Sequence, residues 1–229
     1  MTFYQYKNGY RYNSDTVFLY NFISKYNLKG EVLDVGCGCG ILGLLLKRDF
    51  DQIKLTQIDI QEKNTILTQK NAATNNITTK VISDDFLIHD FDEKFDVIVS
   101  NPPFYHSGSL KSEDISLYLS RHSDALVFDD FVKKAYKLLN HRGSLIFCYD
   151  AKQIDIITAS LINAKFKINE LQFVHVDKNK PASLVMILAK RESKSLCKVL
   201  PSIVLYENKE LTKDVQNFFI KADTNSEDI

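Results

Sequence analysis

A strand, a glycine-rich turn and a helix follow one another near residue 36, and this run limits the fold more than any other. An apolar strand is predicted over residues 31–35 and an apolar helix over residues 41–47, with the turn Gly36-Cys37-Gly38-Cys39-Gly40 between them. Glycine lets the backbone turn sharply and approach a ligand closely. A strand, glycine turn and helix form the front half of a nucleotide-binding βαβ unit. The sequence therefore predicts a binding site that contains Asp34 and the turn residues Gly36, Cys37, Gly38 and Gly40.

Apolar runs of strand length alternate with helical patterns along the rest of the chain. Further strands are predicted over residues 54–58, 81–82, 95–99 and 144–148, and the last one follows a helix that includes Leu139 and ends at residues 141–143. Two final strands, 171–176 and 183–189, are joined by a connection too short for a helical crossover, so they must be antiparallel. The predicted fold class is α/β, with a doubly wound sheet of five parallel strands and a C-terminal antiparallel hairpin.

The chain is long enough to bury one full core, since it has 229 residues and 45% hydrophobic content. We expect one domain over residues 1–192, which includes an N-terminal arm of aromatic and basic residues within 1–28. Residues 193–221 are expected to form an extension packed on that domain. Residues 222–229 are polar and acidic, and we expect them to be disordered.

Acidic residues follow the second and third strands of the predicted parallel sheet. Asp59 comes about twenty residues after the glycines, where an acid accepts from a ribose diol in dinucleotide-binding folds. The alternative is that Asp59 caps the helix beginning near Gln61. Ile60 is included in the predicted site. Asp85 and Phe86 follow the third strand, and an acid beside an aromatic residue there suits an adenine amino group.

The fourth strand ends in Asn101-Pro102-Pro103-Phe104. Two prolines stop both strand and helix, which leaves a rigid corner. The amide oxygen of Asn101 and the carbonyl of Pro102 can both accept from a planar NH2 group, while Phe104 stacks on its ring. This sequence therefore predicts a site for a planar group that carries an amine.

The formal net charge is +0, so contact with nucleic acid must come from local patches. The N-terminal arm interleaves aromatic and basic residues, which suits base stacking and phosphate contact. The alternative is a hairpin around Asn8-Gly9 that covers the core. We expect three patches to flank the glycine turn. Their candidate residues are Lys7, Tyr10 and Arg11 in the arm, Lys111 and Arg121 in the loop after Phe104, and Lys190 and Arg191 after the last strand.

The four cysteines include no C-x-x-C pair, and Cys37-x-Cys39 has no nearby partner pair for a metal, so no metal site is predicted. No charged-then-apolar signal segment begins the sequence, and its apolar runs are too short to span a bilayer. These features favour a soluble, cytoplasmic protein without a membrane partner.

The glycine turn, Asp59 and Asn101-Pro102-Pro103-Phe104 together resemble S-adenosylmethionine-dependent methyltransferases that act on exocyclic or amide nitrogens. Several further stretches are similar to bacterial enzymes that N6-methylate the adenine 3′ of the anticodon of a valine tRNA. These stretches are residues 10–15 (YRYNSD), Arg121-His122, residues 181–185 (PASLV) and residues 200–206 (LPSIVLY). The sequence departs from the usual pattern at two places: the glycine turn contains two cysteines, and Phe104 stands where many relatives carry Tyr. Neither departure removes a group that the chemistry needs.

The resemblance implies S-adenosyl-L-methionine as cofactor, a tRNA substrate and no obligate protein partner. It also implies catalytic roles for Asn101, Pro102 and Phe104, with Asn101 also lining the cofactor site. Guanine-N2 methylation of rRNA is an alternative, followed by glutamine-N5 methylation of protein. Glutamine methyltransferases carry an N-terminal helical domain ahead of the glycine turn, and few residues precede the turn in this sequence. DNA adenine methyltransferases usually carry a recognition domain for which this chain has no room. A catalytically inactive cofactor-binding or RNA-binding protein is the alternative of a different class.

Overall fold

The structure is a computed structural model that describes residues 1–7, 12–102 and 128–229. Its helices are α1 (Ser14–Ile23), α2 (Ile41–Asp49), α3 (Glu62–Thr74), α4 (Phe128–Leu138), α5 (Ile154–Asn163) and α6 (Lys213–Ala222). Its strands are β1 (Thr2–Gln5), β2 (Gly30–Val35), β3 (Ile53–Asp59), β4 (Lys80–Ser83), β5 (Phe95–Ser100), β6 (Leu139–Asp150), β7 (Phe166–Asp177), β8 (Ala182–Arg191), β9 (Lys198–Val199), β10 (Ile203–Glu207), β11 (Glu210–Leu211) and β12 (Asn225–Asp228).

The central sheet contains the predicted five parallel strands, in the order β4-β3-β2-β5-β6. Strand β8 then pairs antiparallel with both β6 and β7, which confirms the predicted hairpin. The order of the parallel strands reverses between β2 and β5. Ligands of open α/β sheets bind beyond the carboxyl ends of the strands at such a reversal. The topology therefore places the expected site beside the ends of β2 and β5.

Helices cover both faces of this sheet because successive strand residues point to opposite faces. Val32 and Val97 belong to one buried cluster, which also contains residues of α1, α2, α3 and α6. Leu33 and Ile98, their neighbours in sequence, belong to a second cluster with residues of α4 and α5. The strands of the parallel sheet are therefore apolar on both sides, as their sequences indicate.

Strand β6 begins earlier than the sequence pattern predicts. The preceding helix α4 ends at Leu138 and the strand starts at Leu139, so the predicted helix end at residues 141–143 is wrong. Leu139 pairs with Phe95, and the register then shifts before Val97 pairs with Ser144. This irregularity extends β6 at its beginning. The extension depends on pairing with β5, which is distant in sequence, so the local pattern of apolar residues does not predict it.

The C-terminal residues form a strand, so the prediction of a disordered tail is wrong. Strand β12 pairs in parallel with β1, from Thr2 opposite Asn225 to Gln5 opposite Asp228. The side chains of β12 are exposed, and its acidic composition reflects that exposure. Its stability comes from backbone pairing, which composition does not report.

The N-terminal arm covers the core, as one of its two interpretations predicted. Phe3 is completely buried, and the ring of Tyr12 meets it edge-on at a centroid distance of 6.4 Å. The pairing recorded for β1 is with β12, and the proposed turn residues Asn8 and Gly9 lie outside the described residues. In the described ranges, no helix combines the length and apolar composition needed to cross a bilayer.

Candidate active site

The glycine turn and Asn101 leave neighbouring strands at the same edge of the sheet. Val35 pairs with Ser100, and the hydroxyl of Ser100 donates to the carbonyl of Val35 at 2.8 Å. The residues that follow these two positions therefore lie side by side. They border a pocket at this edge of the sheet. Its lining consists of Tyr12, Thr16, Asp34, Gly36, Cys37, Cys39, Ile41, Leu42 and Asn101.

Two glycines show why the turn needs this residue type. Gly36 has a φ of 68°, and a Cβ added there would meet nothing within 4 Å, so space is open beside its backbone. Gly40 has a φ of 82°, and an added Cβ would lie 2.7 Å from a methyl carbon of Thr68. Side chains rarely adopt this backbone conformation, and the second position also lacks space for one. The turn is thus shaped to present its backbone to the pocket.

Asp34 fixes the beginning of α2 to the sheet. Its carboxylate is 1% exposed and accepts from the backbone N–H of Gly43 at 3.0 Å and from Gln57 Nε2 at 3.1 Å. Burial raises the pKa of Asp34 to about 7, against the smaller lowering effect of these two hydrogen bonds. Asp34 therefore titrates near neutral pH in the wall of the pocket.

Asp59 joins the end of β3 to the glycine turn and to α3. One carboxylate oxygen accepts from the backbone N–H of Gly38 at 2.9 Å. The other accepts from the backbone N–H of Gln61 at 2.9 Å and from Asn64 Nδ2 at 3.1 Å. The contact with Gln61 lies at the start of α3, where the helix-capping alternative expects it. Binding of a ribose diol by Asp59 stays a prediction, and each carboxylate oxygen has two lone pairs to share.

The two carboxylates make this edge of the sheet electronegative. Burial is the main cause that raises the pKa of Asp59. The negative charge of Asp59 in turn contributes to raising the pKa of Asp34. Neither side chain forms an ion pair with another described residue. A positively charged ligand would offset the cost of ionising both groups in this buried setting. The site therefore suits a cationic ligand better than a neutral one of the same shape.

The remaining predicted cofactor residues lie along the same edge. The Ile60 side chain is 49% exposed at the end of β3, where it can cover a planar ring. The carboxylate of Asp85 accepts from the backbone N–H of Leu87 at 2.8 Å. Phe86 is buried, and its ring lies 5.6 Å from that of Phe131 in the core. Contacts of Asp85 and Phe86 with an adenine stay predictions.

The amide of Asn101 is held from two sides. Its Nδ2 donates to the hydroxyl of Thr16 at 2.9 Å, and its Oδ1 accepts from the thiol of Cys148 at 2.8 Å. Pro102 is buried next to it. Phe104, Tyr10, Arg11, Lys111 and Arg121 lie outside the described residues, and their roles stay predictions.

Sequence reasoning missed the pocket residues that come from distant parts of the chain. Thr16 is 85 residues from Asn101, and Cys148 is 47 residues from it. Tyr12 is held by its backbone N–H, which donates to Gln5 Oε1 at 3.0 Å. No local pattern marks such contacts, because each depends on how α1, β1 and β6 pack in the folded chain. Cys39 belongs to the predicted turn and lines the pocket, although it is not among the predicted site residues.

Two of the predicted basic residues, Lys190 and Arg191, end β8 and lie at the opposite edge of the sheet. Lys190 pairs with Ser144, which pairs with Val97 near the beginning of β5. Arg191 donates to the backbone carbonyl of Leu139 at 2.6 Å and its guanidinium lies 4.8 Å from the ring centroid of Tyr136. The expectation that Lys190 and Arg191 flank the glycine turn is therefore wrong. Strand β8 runs antiparallel to β6, so its end lies where the parallel strands begin.

The position of Lys7 relative to the glycine turn stays a prediction, and its backbone N–H donates to the carbonyl of Ile229 at 3.2 Å. The neighbouring Tyr6 hydroxyl donates to the carbonyl of Lys63 at 3.3 Å, in the first turn of α3. That turn follows the carboxyl end of β3, next to Asp59. The Lys7 side chain is exposed, and its contact with RNA stays a prediction.

Comparison with known proteins identifies the family of the chain. A family model described as the methyltransferase small domain matches residues 11–174. A relative named tRNA1(Val) (adenine(37)-N6)-methyltransferase, from Pedobacter heparinus, is 27% identical over 173 residues, which cover 75% of this chain and 73% of the relative. A ribosomal RNA small subunit methyltransferase C from Actinobacillus pleuropneumoniae is 44% identical over 78 residues. These residues cover 34% of this chain but only 23% of that protein.

Solved structures of methyltransferases share the fold. A predicted O-methyltransferase from Agrobacterium tumefaciens has a TM-score of 0.69 and 15% identity, and the match covers 94% of this chain and 100% of the other. A 16S rRNA N2 G1207 methyltransferase from T. thermophilus, solved in complex with AdoMet and guanosine, has a TM-score of 0.57 and 18% identity. That match covers 81% of this chain and 45% of the other. The strand order thus follows a known fold, that of class I S-adenosylmethionine-dependent methyltransferases.

Proposed function

The chain belongs to the methyltransferase small domain family, and we propose that it transfers a methyl group from S-adenosylmethionine to N6 of an adenine in tRNA. The proposed target is the adenine 3′ of the anticodon of a valine tRNA. The observation that carries the proposal is the position of Asn101, an amide that lines one pocket with the buried carboxylate of Asp34 and the open glycine turn. A cationic methyl donor and a planar amine would meet there.

The described residues fit the proposed cofactor. The backbone of the turn from Gly36 to Gly40 would hold its methionine part, and Asp59 would accept from the ribose hydroxyls. Ile60, with Asp85 and Phe86, would border the adenine ring. When bound, S-adenosylmethionine supplies a methyl group on a positively charged sulfonium, and the electronegative pocket favours that charge.

The amide of Asn101 supplies the acceptor that the reaction needs. The lone pair of an adenine N6 is delocalised into the ring, which makes the nitrogen a poor nucleophile. The Asn101 oxygen and the Pro102 carbonyl would accept its two hydrogens and stabilise the positive charge that develops on it. Asn101 and Pro102 would hold the nitrogen while it exchanges the C–S bond of the sulfonium for a C–N bond, and the nitrogen would then release a proton to solvent. Holding the nitrogen in line with the methyl group supplies much of the remaining acceleration.

The adenine must leave its stack to reach this pocket, which is easier in an RNA loop than in a duplex. Phe104 would replace a stacking neighbour. Tyr10, Arg11, Lys111 and Arg121 remain candidates for contact with RNA, together with Lys7.

Two further basic residues, which were not among the predicted ones, lie at the same edge of the sheet as Asn101. Lys152 follows the carboxyl end of β6, and Lys180 lies in the turn between β7 and β8. Both side chains are exposed. They take the place of Lys190 and Arg191 in the proposed RNA surface.

The tRNA substrate is preferred because the tRNA relative aligns with three quarters of this chain. Guanine-N2 methylation of rRNA is the second candidate, since the rRNA relative has higher identity over its shorter match. In each case the amide would accept hydrogens from an exocyclic amine, so the same pocket serves both reactions. The two reactions differ in the base that is methylated and in the RNA that carries it.

Methyl incorporation from labelled cofactor into separate samples of tRNA, rRNA, DNA and protein tests the proposal. We expect label in tRNA with the wild-type chain and none with Asn101→Ala. Calorimetry with S-adenosylhomocysteine should show that the variant still binds the cofactor product. Label in rRNA would support the second candidate, and label in protein the glutamine alternative. Cofactor binding without label in any sample would favour the inactive binding protein.

The position of the RNA is tested by paired charge reversals at opposite edges of the sheet. Lys152→Glu with Lys180→Glu should weaken tRNA binding and lower the slope of log affinity against log salt by about one to two. The matched control, Lys167→Glu with Lys190→Glu, changes two residues that pair across β7 and β8 at the other edge. If only the control pair weakens binding, the RNA lies on the edge away from Asn101.

A further inference from the structure

The catalytic amide proposed above has two buried partners that no sequence motif marks. Thr16, on α1, is 3% exposed, and Cys148, on β6, is completely buried. Thr16 accepts a hydrogen bond from Asn101 Nδ2, while Cys148 donates one to Oδ1. The amide is therefore held between a helix on one face of the sheet and a strand within it.

The two contacts match one orientation of the amide. A thiol is a donor to oxygen only while it keeps its proton, and burial raises the pKa of the Cys148 thiol well above its ordinary value. With the protonated thiol as donor to the oxygen, the nitrogen faces the Thr16 hydroxyl, whose oxygen is a stronger acceptor than a thiol sulfur. A rotated amide would exchange these positions and place its nitrogen against the thiol.

This orientation suits the proposed reaction. A carbonyl oxygen has two lone pairs, so Oδ1 can accept from Cys148 and from a substrate amine at once. Donation from Nδ2 to Thr16 polarises the amide and increases the negative charge on its oxygen. Both effects make Oδ1 a better acceptor for hydrogens on a nitrogen that becomes positive.

We propose that Thr16 and Cys148 are positioning residues that hold the Asn101 amide oxygen ready for the substrate amine. This inference rests on the proposed function, because the amine is the group that the oxygen serves. Thr16 also lines the pocket, so its effect on the cofactor must be measured separately from its effect on methyl transfer.

Isosteric replacement tests the role of the Thr16 hydroxyl. Thr16→Val keeps the shape of the side chain and removes the acceptor, whereas Thr16→Ser keeps the acceptor. We expect Thr16→Val to lower kcat about tenfold or more, with KM for RNA and affinity for S-adenosylhomocysteine unchanged. Thr16→Ser should restore kcat. Thr65→Val is the matched control, because Thr65 is equally buried and helical but donates to the Glu62 carbonyl instead.

The thiol is tested in the same way. Cys148→Ser keeps a donor for Oδ1, and Cys148→Ala removes it. We expect Cys148→Ala to lower kcat and Cys148→Ser to retain more activity than Cys148→Ala. Equal kcat in Thr16→Val, Cys148→Ala and the wild type would overturn the proposal.

A second measurement does not depend on activity. The side-chain NH2 signal of Asn101 in a ¹H–¹⁵N spectrum is identified by its loss in Asn101→Ala. Hydrogen exchange of this group should be slow in the wild type and faster in Thr16→Val, with no change in Thr65→Val. Unchanged exchange in Thr16→Val would contradict the positioning role. If hydrogen exchange responds as expected but the wild type methylates no substrate, the proposed function is wrong. The conclusion that Thr16 and Cys148 position the Asn101 amide would still stand.

Discussion

Asn71 connects the N-terminal strand to the glycine turn, and its removal gives the most quantitative prediction. Its Oδ1 accepts from the backbone N–H of Tyr4 at 2.8 Å, and its Nδ2 donates to the carbonyls of Tyr4 at 3.1 Å and Cys39 at 2.8 Å. The side chain is completely buried. Asn71→Ala therefore removes three hydrogen bonds and leaves buried backbone groups of β1 and of the turn unpaired.

The expected loss follows from the number of contacts. Each hydrogen bond contributes about 1 kcal/mol, so Asn71→Ala should lower the free energy of unfolding by about 3 kcal/mol. For a chain of this size, that corresponds to a fall in Tm of about 6–12 °C. The Cys39 carbonyl belongs to the pocket wall, so affinity for S-adenosylhomocysteine should fall as well.

Asn169→Ala is the matched control. Asn169 is 9% exposed, its Nδ2 donates to the hydroxyl of Ser193, and its Oδ1 has no hydrogen-bond partner among the described residues. Its truncation should cost about 1 kcal/mol or less and leave cofactor affinity unchanged. Both variants are compared by urea denaturation and calorimetry. Equal losses of stability in the two variants would refute the reasoning that the three contacts of Asn71 act together.

Three further predictions follow from the site and the chain ends. Asp59→Ala should weaken binding of S-adenosylhomocysteine by about 1.5–3 kcal/mol in calorimetry, and unchanged affinity would mean that Asp59 only anchors the turn and α3. Burial raises the pKa of Asp34 to about 7 from an ordinary value of 3.8. Between these pH values the folded chain binds more protons than the unfolded chain, so the free energy of unfolding should fall as pH rises through this range. Asp34→Asn should reduce that fall in pH-dependent denaturation, and superimposable curves would contradict it. Removal of residues 223–229 should lower Tm because β1 loses its paired strand, whereas an unchanged Tm would restore the original view of a disordered tail.

The sequence was sufficient for the parallel sheet and for the family resemblance, and both were confirmed. Each rests on local patterns, namely the glycine turn after β2 and the Asn-Pro sequence after β5. Asp34, Gly36, Cys37 and Asn101 meet at one pocket because the carboxyl ends of parallel strands share an edge.

The errors have physical causes that can be named. The early start of β6 and the pairing of β12 with β1 are backbone contacts between distant residues, and side-chain patterns do not report them. The contact between Thr16 and Asn101 likewise exists only in the folded chain. The placement of Lys190 was avoidable, since the predicted antiparallel direction of β8 already implies that its end lies at the far edge of the sheet.

The central claim concerns the base that is methylated, and nucleoside mass spectrometry tests it most directly. RNA from a strain that lacks this protein is compared with RNA from the same strain carrying the wild-type chain or Asn101→Ala. We predict that tRNA from the deletion strain lacks one N6-methyladenosine beside the anticodon of a valine tRNA. The wild-type chain should restore that nucleoside, and Asn101→Ala should not. An unchanged set of tRNA nucleosides, with loss of an N2-methylguanosine from rRNA instead, would contradict the claim.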